Sequence, residues 1–194
     1  DAHEDLFWAI RGGGGNFGVL PSFLFRTHPV GTVHAGPMLW DMDDAEAVLS
    51  WYRSYSPSAP EDIYGFFAFM VVPPAPPFPE ELHGRTMCSI MWCSTDTERG
   101  ADRIGEAIAE LPKPAWAHVG EMPFPALQTA FDELYAPGLE WYWKGDFVRD
   151  IDDDALAIHL EHGAEVPTMH STMHLYPIDG AVHDVDADAT ALAH

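Results

Sequence analysis

The chain has 194 residues, enough for one ordinary domain and too few for two large ones. With 47% apolar and 12% aromatic residues it can bury a sizeable core, which excludes disorder over most of its length, and no run approaches the ~20 apolar residues of a membrane span. The 31 acidic against 9 basic residues leave a net charge of -22, which excludes nucleic-acid binding by phosphate neutralisation.

So large a charge repels itself at ordinary salt, whereas at ~1 M the Debye length falls to about 3 Å and the repulsion is screened. An acid-rich surface with only Lys113 and Lys144 as lysines is what a halophilic protein carries, an acidic mesophilic protein being the alternative. Asp1 precedes an apolar segment with no basic n-region, so no signal peptide is expected and a cytoplasmic location is. Residues 189–194 end without a cap or turn, as expected of a piece excised from something longer.

In chain order, residues 5–10 predict one or two helical turns, broken by Gly12 to Gly15. From Phe17 to His28 the apolar Phe17, Val19, Phe23 and Phe25 share one parity, which predicts a half-buried strand, and Pro21 puts it at an edge or bulge. Residues 32–40 predict a strand, followed by a helix capped by Asp43 or Asp44 and carrying Val48, Leu49, Trp51 and Tyr52. Residues 63–72 are almost uniformly apolar, as in a central strand covered on both faces. Five prolines between Pro73 and Pro79 demand a loop.

A strand over 85–93 places Cys88 and Cys93 on opposite faces, as core thiols and not a disulfide scaffold. Residues 95–111 predict a helix, with Ile104, Ala107, Ile108 and Leu111 on one side. A strand over 116–122, a helix over 125–135, a strand over 140–149, a helix from Asp152 to about His162, and strands over 170–176 and 180–185 complete the chain. Adjacent strands without helical crossovers give an α+β fold, with a largely antiparallel sheet of about seven strands and helices on one face.

Gly13, Gly15 and Gly18 satisfy the spacing G-x-G-x-x-G, but the dinucleotide turn needs a strand before and a helix after, the reverse of this order. No Lys-Ser/Thr follows, which excludes a P-loop. The glycines can bring bare backbone against a flat or anionic ligand, or form a flexible turn. The run Asp5-Leu6-Phe7-Trp8-Ala9-Ile10-Arg11-Gly12-Gly13-Gly14-Gly15-Asn16-Phe17-Gly18-Val19 closely resembles the end of the FAD-binding domain in FAD-linked oxidases of the berberine-bridge-enzyme type. Residues 125–128, 137–139, 141–144 and 180–182 also resemble segments of that family's substrate domain, whereas Pro21 departs from the small polar residue expected there.

The resemblance implies a vanillyl-alcohol-oxidase-like fold, with residues 1–29 as the last segment of the FAD domain and 30–194 as the substrate domain. It also implies FAD as cofactor, with Gly13, Gly14, Gly15, Asn16, Phe17, Gly18 and Val19 passing close to the flavin. The flavin-linking Arg-x-Gly-Gly-His context, the main pyrophosphate loop and the C-terminal Asn-Tyr segment of the family do not occur in this sequence. Activity is therefore expected of the full-length protein and not of this chain alone, and the face left by the missing parts is expected to be apolar and to favour self-association.

Strand parity supplies a second constellation. Tyr142 and Lys144 oppose Trp141 and Trp143, while His170, Thr172, His174 and Tyr176 share one face against Met173 and Leu175. A site roofed by a flavin needs such groups, because a hydroxyl must lose a proton as hydride leaves its carbon. Tyr176 and His174 are the catalytic candidates, and Tyr142, Lys144 and His170 the substrate-binding ones; an ordinary wet sheet face is the alternative.

The histidines and the Asp150–Asp154 run match no zinc or calcium spacing, so no metal is expected. The expected function is oxidation of a small alcohol, sugar or secondary-metabolite substrate, without nucleic acid or membrane as partner. A non-catalytic small-molecule-binding or interaction domain is the alternative.

Overall fold

The computed structural model describes residues 2–192, so Asp1 and the last two residues of the expected uncapped end lie outside the described residues. Two compact units form: residues up to Pro29 together with those from Ile178 onward, and Val30–Pro177.

The larger unit is built on one antiparallel sheet of six strands, not about seven. β1 (Thr32–Asp41), β2 (Ile63–Val71) and β3 (Thr86–Ser94) form its centre in the order β1-β3-β2. β6 (Thr172–Leu175) pairs with the free side of β2, while β4 (Trp116–Ala117) and β5 (Gly120–Pro123) share the free side of β1. The expected single strand over 116–122 is broken at His118, whose N–H donates to Pro37 O at 2.9 Å.

Period two sorts the side chains. Phe67, Phe69, Cys88, Ile90, Trp92, Met38 and Trp40 face α2 (Ala45–Tyr55), α3 (Gly100–Ala107) and α5 (Asp153–Ala164), whose Val48, Leu49, Tyr52, Ile104 and Leu156 close the main core. Burying each of Phe67, Phe69 and Ile90 contributes about 1.5–3 kcal/mol. The other face is roofed at both ends. Leu39 and Met87 lie with Val72 and Leu82 at one end. At the other, Val33 and Ala35 meet Leu127 of α4 (Phe124–Thr129). Between these roofs Ser89 and Ala68 are still buried, and exposure begins at Tyr64 and Tyr176.

Of the two caps expected from Asp residues, the one on α2 is not made, since the residue at its N-cap, Asp44, makes no side-chain capping hydrogen bond. The Asp152 carboxylate accepts from Ala155 N–H at 2.8 Å and caps α5. The Asp96 carboxylate accepts from the N–H groups of Glu98 and Arg99, which hold its pKa below the ordinary carboxylate range. α3 accordingly begins at Gly100 and ends at Ala107, shorter than the expected 95–111. Arg103 pairs with Asp62 and Asp96 across this corner.

Two expected strands do not form. Residues 140–149 carry no strand pairing, and Trp141 and Trp143 pack on Tyr135 at ring-centroid distances of 5.5 and 5.2 Å. Residues 180–185 begin with a 3₁₀ turn, Gly180–Val182, in the smaller unit.

The smaller unit joins α1 (Glu4–Ala9) to the C-terminal segment: Trp8 Nε1 donates to Asp188 O at 2.7 Å, and Arg11 Nη2 to Ala189 O at 2.8 Å. The expected strand over 17–28 is also absent. Val19, Phe23, Leu24 and Phe25 are exposed, although the Phe23 and Phe25 rings stack at 5.5 Å. A strand needs a hydrogen-bonding neighbour as well as alternation, and no ladder in the described residues includes this segment.

One glycine is demanded by packing. A Cβ on Gly163 of α5 would overlap the buried Phe69 ring. Gly163→Ala should therefore destabilise the larger unit by about 1–3 kcal/mol, despite alanine's helix propensity advantage of ~1 kcal/mol, measured as a lowered urea midpoint at unchanged slope.

Candidate functional site

β6 is where the open face carries chemistry. Pairing of Thr172 with Met70 and of His174 with Ala68 fixes the register, so Thr172 and His174 stand on the open face and Met173 and Leu175 on the helix-covered one. The Tyr52 hydroxyl of α2 holds this register from behind, 3.0 Å from Gly65 O and 3.1 Å from Leu175 O.

His174 Nδ1 and Tyr176 Oη share a hydrogen bond of 2.5 Å. Phe66 of β2 packs against both rings, at 5.3 Å from His174 and 4.9 Å from Tyr176, and Phe131 backs Phe66 at 6.2 Å. Burial pushes the His174 imidazole below its ordinary 6.5, because the enclosed ring disfavours its charged form. The Tyr176 phenol is pushed up, first by burial and then by the neighbouring Tyr135 and Tyr64 phenols. Both groups are thus held neutral at pH 7, as a proton donor–acceptor pair.

The sequence candidates separate. His174 and Tyr176 come together, whereas His170 lies in the turn before β6 and off the strand face expected for it, its ring edge-on to Trp141 at 6.0 Å. It lines a shallow hollow with Met70, Tyr135, Met169 and Thr172. Tyr142 and Lys144 are exposed on an irregular segment and no longer share a sheet face, because the strand that was to align them is not formed. Sequence reasoning missed Tyr64, Phe66 and Tyr135. The near-uniform apolar run of β2 concealed its parity, although a tyrosine at 64 among apolar neighbours marks the more open side.

Cys93 lies on the same face as Tyr64, its register partner, with its thiol pKa raised by burial. Cys88 faces the helices and is pushed up to about 12 by burial. The two thiols lie on opposite faces, and neither is poised to ionise.

In the smaller unit, a 3₁₀ turn, Gly15–Phe17, follows the glycines. Gly13 N–H donates to Ala9 O at 2.9 Å, and a Cβ on Gly13 would meet that carbonyl and the Phe17 ring. Gly14, Gly15 and Gly18 have open space where a Cβ would stand, and Gly14 and Gly18 have φ of 79° and 124°. Only glycine adopts these angles without strain. The segment leaves bare backbone on an open side at these three glycines.

No family model matches the sequence. The chain is 26% identical over 195 aligned residues, all of its own length and 40% of the other's, to an FAD-linked oxidoreductase of Dictyostelium discoideum. It is 28% identical over 117 residues, 57% of its length and 24% of the other's, to the FAD-linked oxidoreductase ptmO of Penicillium ochrochloron. This chain is a relative of the FAD-linked oxidoreductases. A third member, the uncharacterized FAD-linked oxidoreductase YgaK of Bacillus subtilis, is 41% identical over 56 residues, 28% of this chain and 12% of that protein. The chain thus spans two-fifths or less of these FAD-linked oxidoreductases.

Since the folded His174 pKa lies below 6.5, the unfolded chain binds more protons between those two values. The contribution is fully present above 6.5 and is lost as pH falls through that window. Histidine NMR titration should place the His174 midpoint below 6.5, and Phe66→Ala, which opens the ring to water, should move it up toward 6.5.

Proposed function

We propose that this chain is part of an FAD-dependent oxidoreductase of the berberine-bridge-enzyme type, an oxidase acting on a small alcohol, sugar or secondary-metabolite hydroxyl. The observation that carries the reading is the neutral His174–Tyr176 pair, hydrogen-bonded on an open aromatic sheet face. The relatives' names support FAD chemistry, and the open backbone at Gly14, Gly15 and Gly18 fits contact with a flat ring system.

FAD, when bound, supplies the hydride acceptor. The chain's own residues handle the proton. The substrate hydroxyl docks against Tyr176 Oη; as its proton passes to that oxygen, the phenolic proton passes to His174 Nδ1, leaving an imidazolium. Phe66 packs against both rings and holds them in place. His170 borders the substrate from the hollow, and the exposed Tyr142 and Lys144 contact its outer part. Gly13 to Val19 would hold the cofactor. On this reading the chain alone is inactive, and its exposed apolar segments favour self-association.

The visible spectrum of the full-length protein, before and after acid precipitation, should show a flavin and whether it is covalently bound. In the flavin-loaded enzyme, Tyr176→Phe should lower kcat by about 10²-fold or more with the flavin retained. A colourless full-length protein overturns the oxidoreductase reading, and an unchanged kcat overturns the role of Tyr176.

A further inference from the structure

The ladder between β2 and β6 stops one residue short of Tyr176. Its last pair is Phe67 with Leu175, so His174 lies inside the ladder and Tyr176 outside it. Pro177 follows, with no N–H to continue the pairing. A proline holds the residue before it to extended angles, but it does not fix where that residue points. The larger unit itself ends at Pro177. Tyr176 therefore stands at the end of an edge strand of four residues, and it needs an anchor besides the ladder.

One polar side chain reaches that point from the helix side. Tyr52 of α2 is 3% exposed, and its hydroxyl lies 3.0 Å from Gly65 O and 3.1 Å from Leu175 O. A phenolic proton shared between the two carbonyls ties β2 to β6 where their pairing ends. Gly65 O belongs to the peptide that leads into Phe66, and Leu175 O to the one that leads into Tyr176. Those two residues carry the rings that pack at 4.9 Å on the opposite face.

The sequence makes room for this contact. Gly65 has the parity of Phe67 and so faces the helices. A Cβ there would come within 3.0 Å of Ile90 and of the Trp92 ring, so bare backbone meets the phenol. The Tyr52 ring is itself located by Phe67, at 5.7 Å.

Resting on the function proposed above, we propose that Tyr52 is a positioning residue for the reaction. By gripping the peptides that enter Phe66 and Tyr176, its buried hydroxyl seats the Tyr176 phenol over Phe66 and beside His174. It touches no substrate. A residue acting through the backbone in this way changes where Tyr176 stands and not what surrounds the substrate, so its loss lowers kcat and leaves KM nearly unchanged.

Tyr52→Phe keeps the ring against Phe67 and removes only the hydroxyl. NMR on the chain alone, without flavin, reads the result. The His174 midpoint should rise toward its ordinary 6.5, and the Phe66–Tyr176 ring cross-peaks should weaken severalfold. The Thr172–Met70 backbone cross-peaks should persist, because that pair lies well inside the ladder. Ile104→Val, which trims the core on α3, should lower the urea midpoint and leave all these readings unchanged. In the flavin-loaded full-length protein, Tyr52→Phe should lower kcat about tenfold with KM changed by less than about twofold. If Tyr52→Phe does not fold, the Tyr52 hydroxyl proton of the unaltered chain serves instead. It should exchange slowly with water and give cross-peaks to the Gly65 and Leu175 backbones.

An unmoved His174 midpoint with unchanged Phe66–Tyr176 cross-peaks overturns the proposal. Loss of the Thr172–Met70 cross-peaks also overturns it, by making Tyr52 a support of the whole strand, and so does an equal His174 shift in Ile104→Val. A Tyr52 hydroxyl proton in fast exchange has the same force. None of these results alters the flavin spectrum of the full-length protein. A colourless full-length protein overturns the oxidoreductase reading, and leaves Tyr52 the anchor of a hydrogen-bonded pair without that reaction.

Discussion

Period-two alternation across four paired strands divides this molecule into what is buried and what can react. The ladders joining β1, β3, β2 and β6 are antiparallel and in register over most of their length, so one parity of each strand goes to the helices and the other is left to smaller roofs. The helix-covered parity holds Phe67, Phe69, Ile90 and Trp92. The roofs over the second face stop short of the β2–β6 edge, and Tyr64, Phe66, His174 and Tyr176 stand there.

Charge follows the same division. Arg53, Arg99 and Arg103 pair with carboxylates on or beside the helices, and Arg85 pairs with Asp41 at the far end of β1, where Asp41 is the register partner of Met87. The groups that shift Tyr176 are burial and two phenols, and burial alone shifts His174. In a chain of net charge -22, the open strip is therefore governed by desolvation and not by Coulomb attraction. That sets both partners neutral, the state in which a hydrogen bond can relay a proton.

The parts legible in the sequence were those whose signal is local. Of the central strands 32–41, 63–71 and 86–94, all expected from the sequence, 63–71 announces itself by a near-continuous apolar run, and Asp152 announces α5 through its cap. The parity of residues 170–176 put His174 and Tyr176 on one face, and they meet there. What failed was alternation taken as sufficient. Residues 17–28 and 140–149 alternate as strands do, yet pairing is a non-local property and neither segment has a ladder partner among the described residues. Trp141 and Trp143, expected on a strand face, spend their apolar area on Tyr135 instead. Phe66 was hidden for the opposite reason, because a run apolar at every position carries no parity to read.

The central claim is the register that seats His174 and Tyr176 over Phe66, since a slip of one residue would turn Met173 and Leu175 to that face. Proton–proton NOE spectroscopy on the chain tests it most directly. Cross-peaks should join the Phe66 ring protons to the rings of His174 and Tyr176, with Met173 and Leu175 methyls joined instead to core residues such as Phe67 and Phe69. Cross-peaks from Phe66 to the Met173 or Leu175 methyls, and none to His174 or Tyr176, would contradict the account.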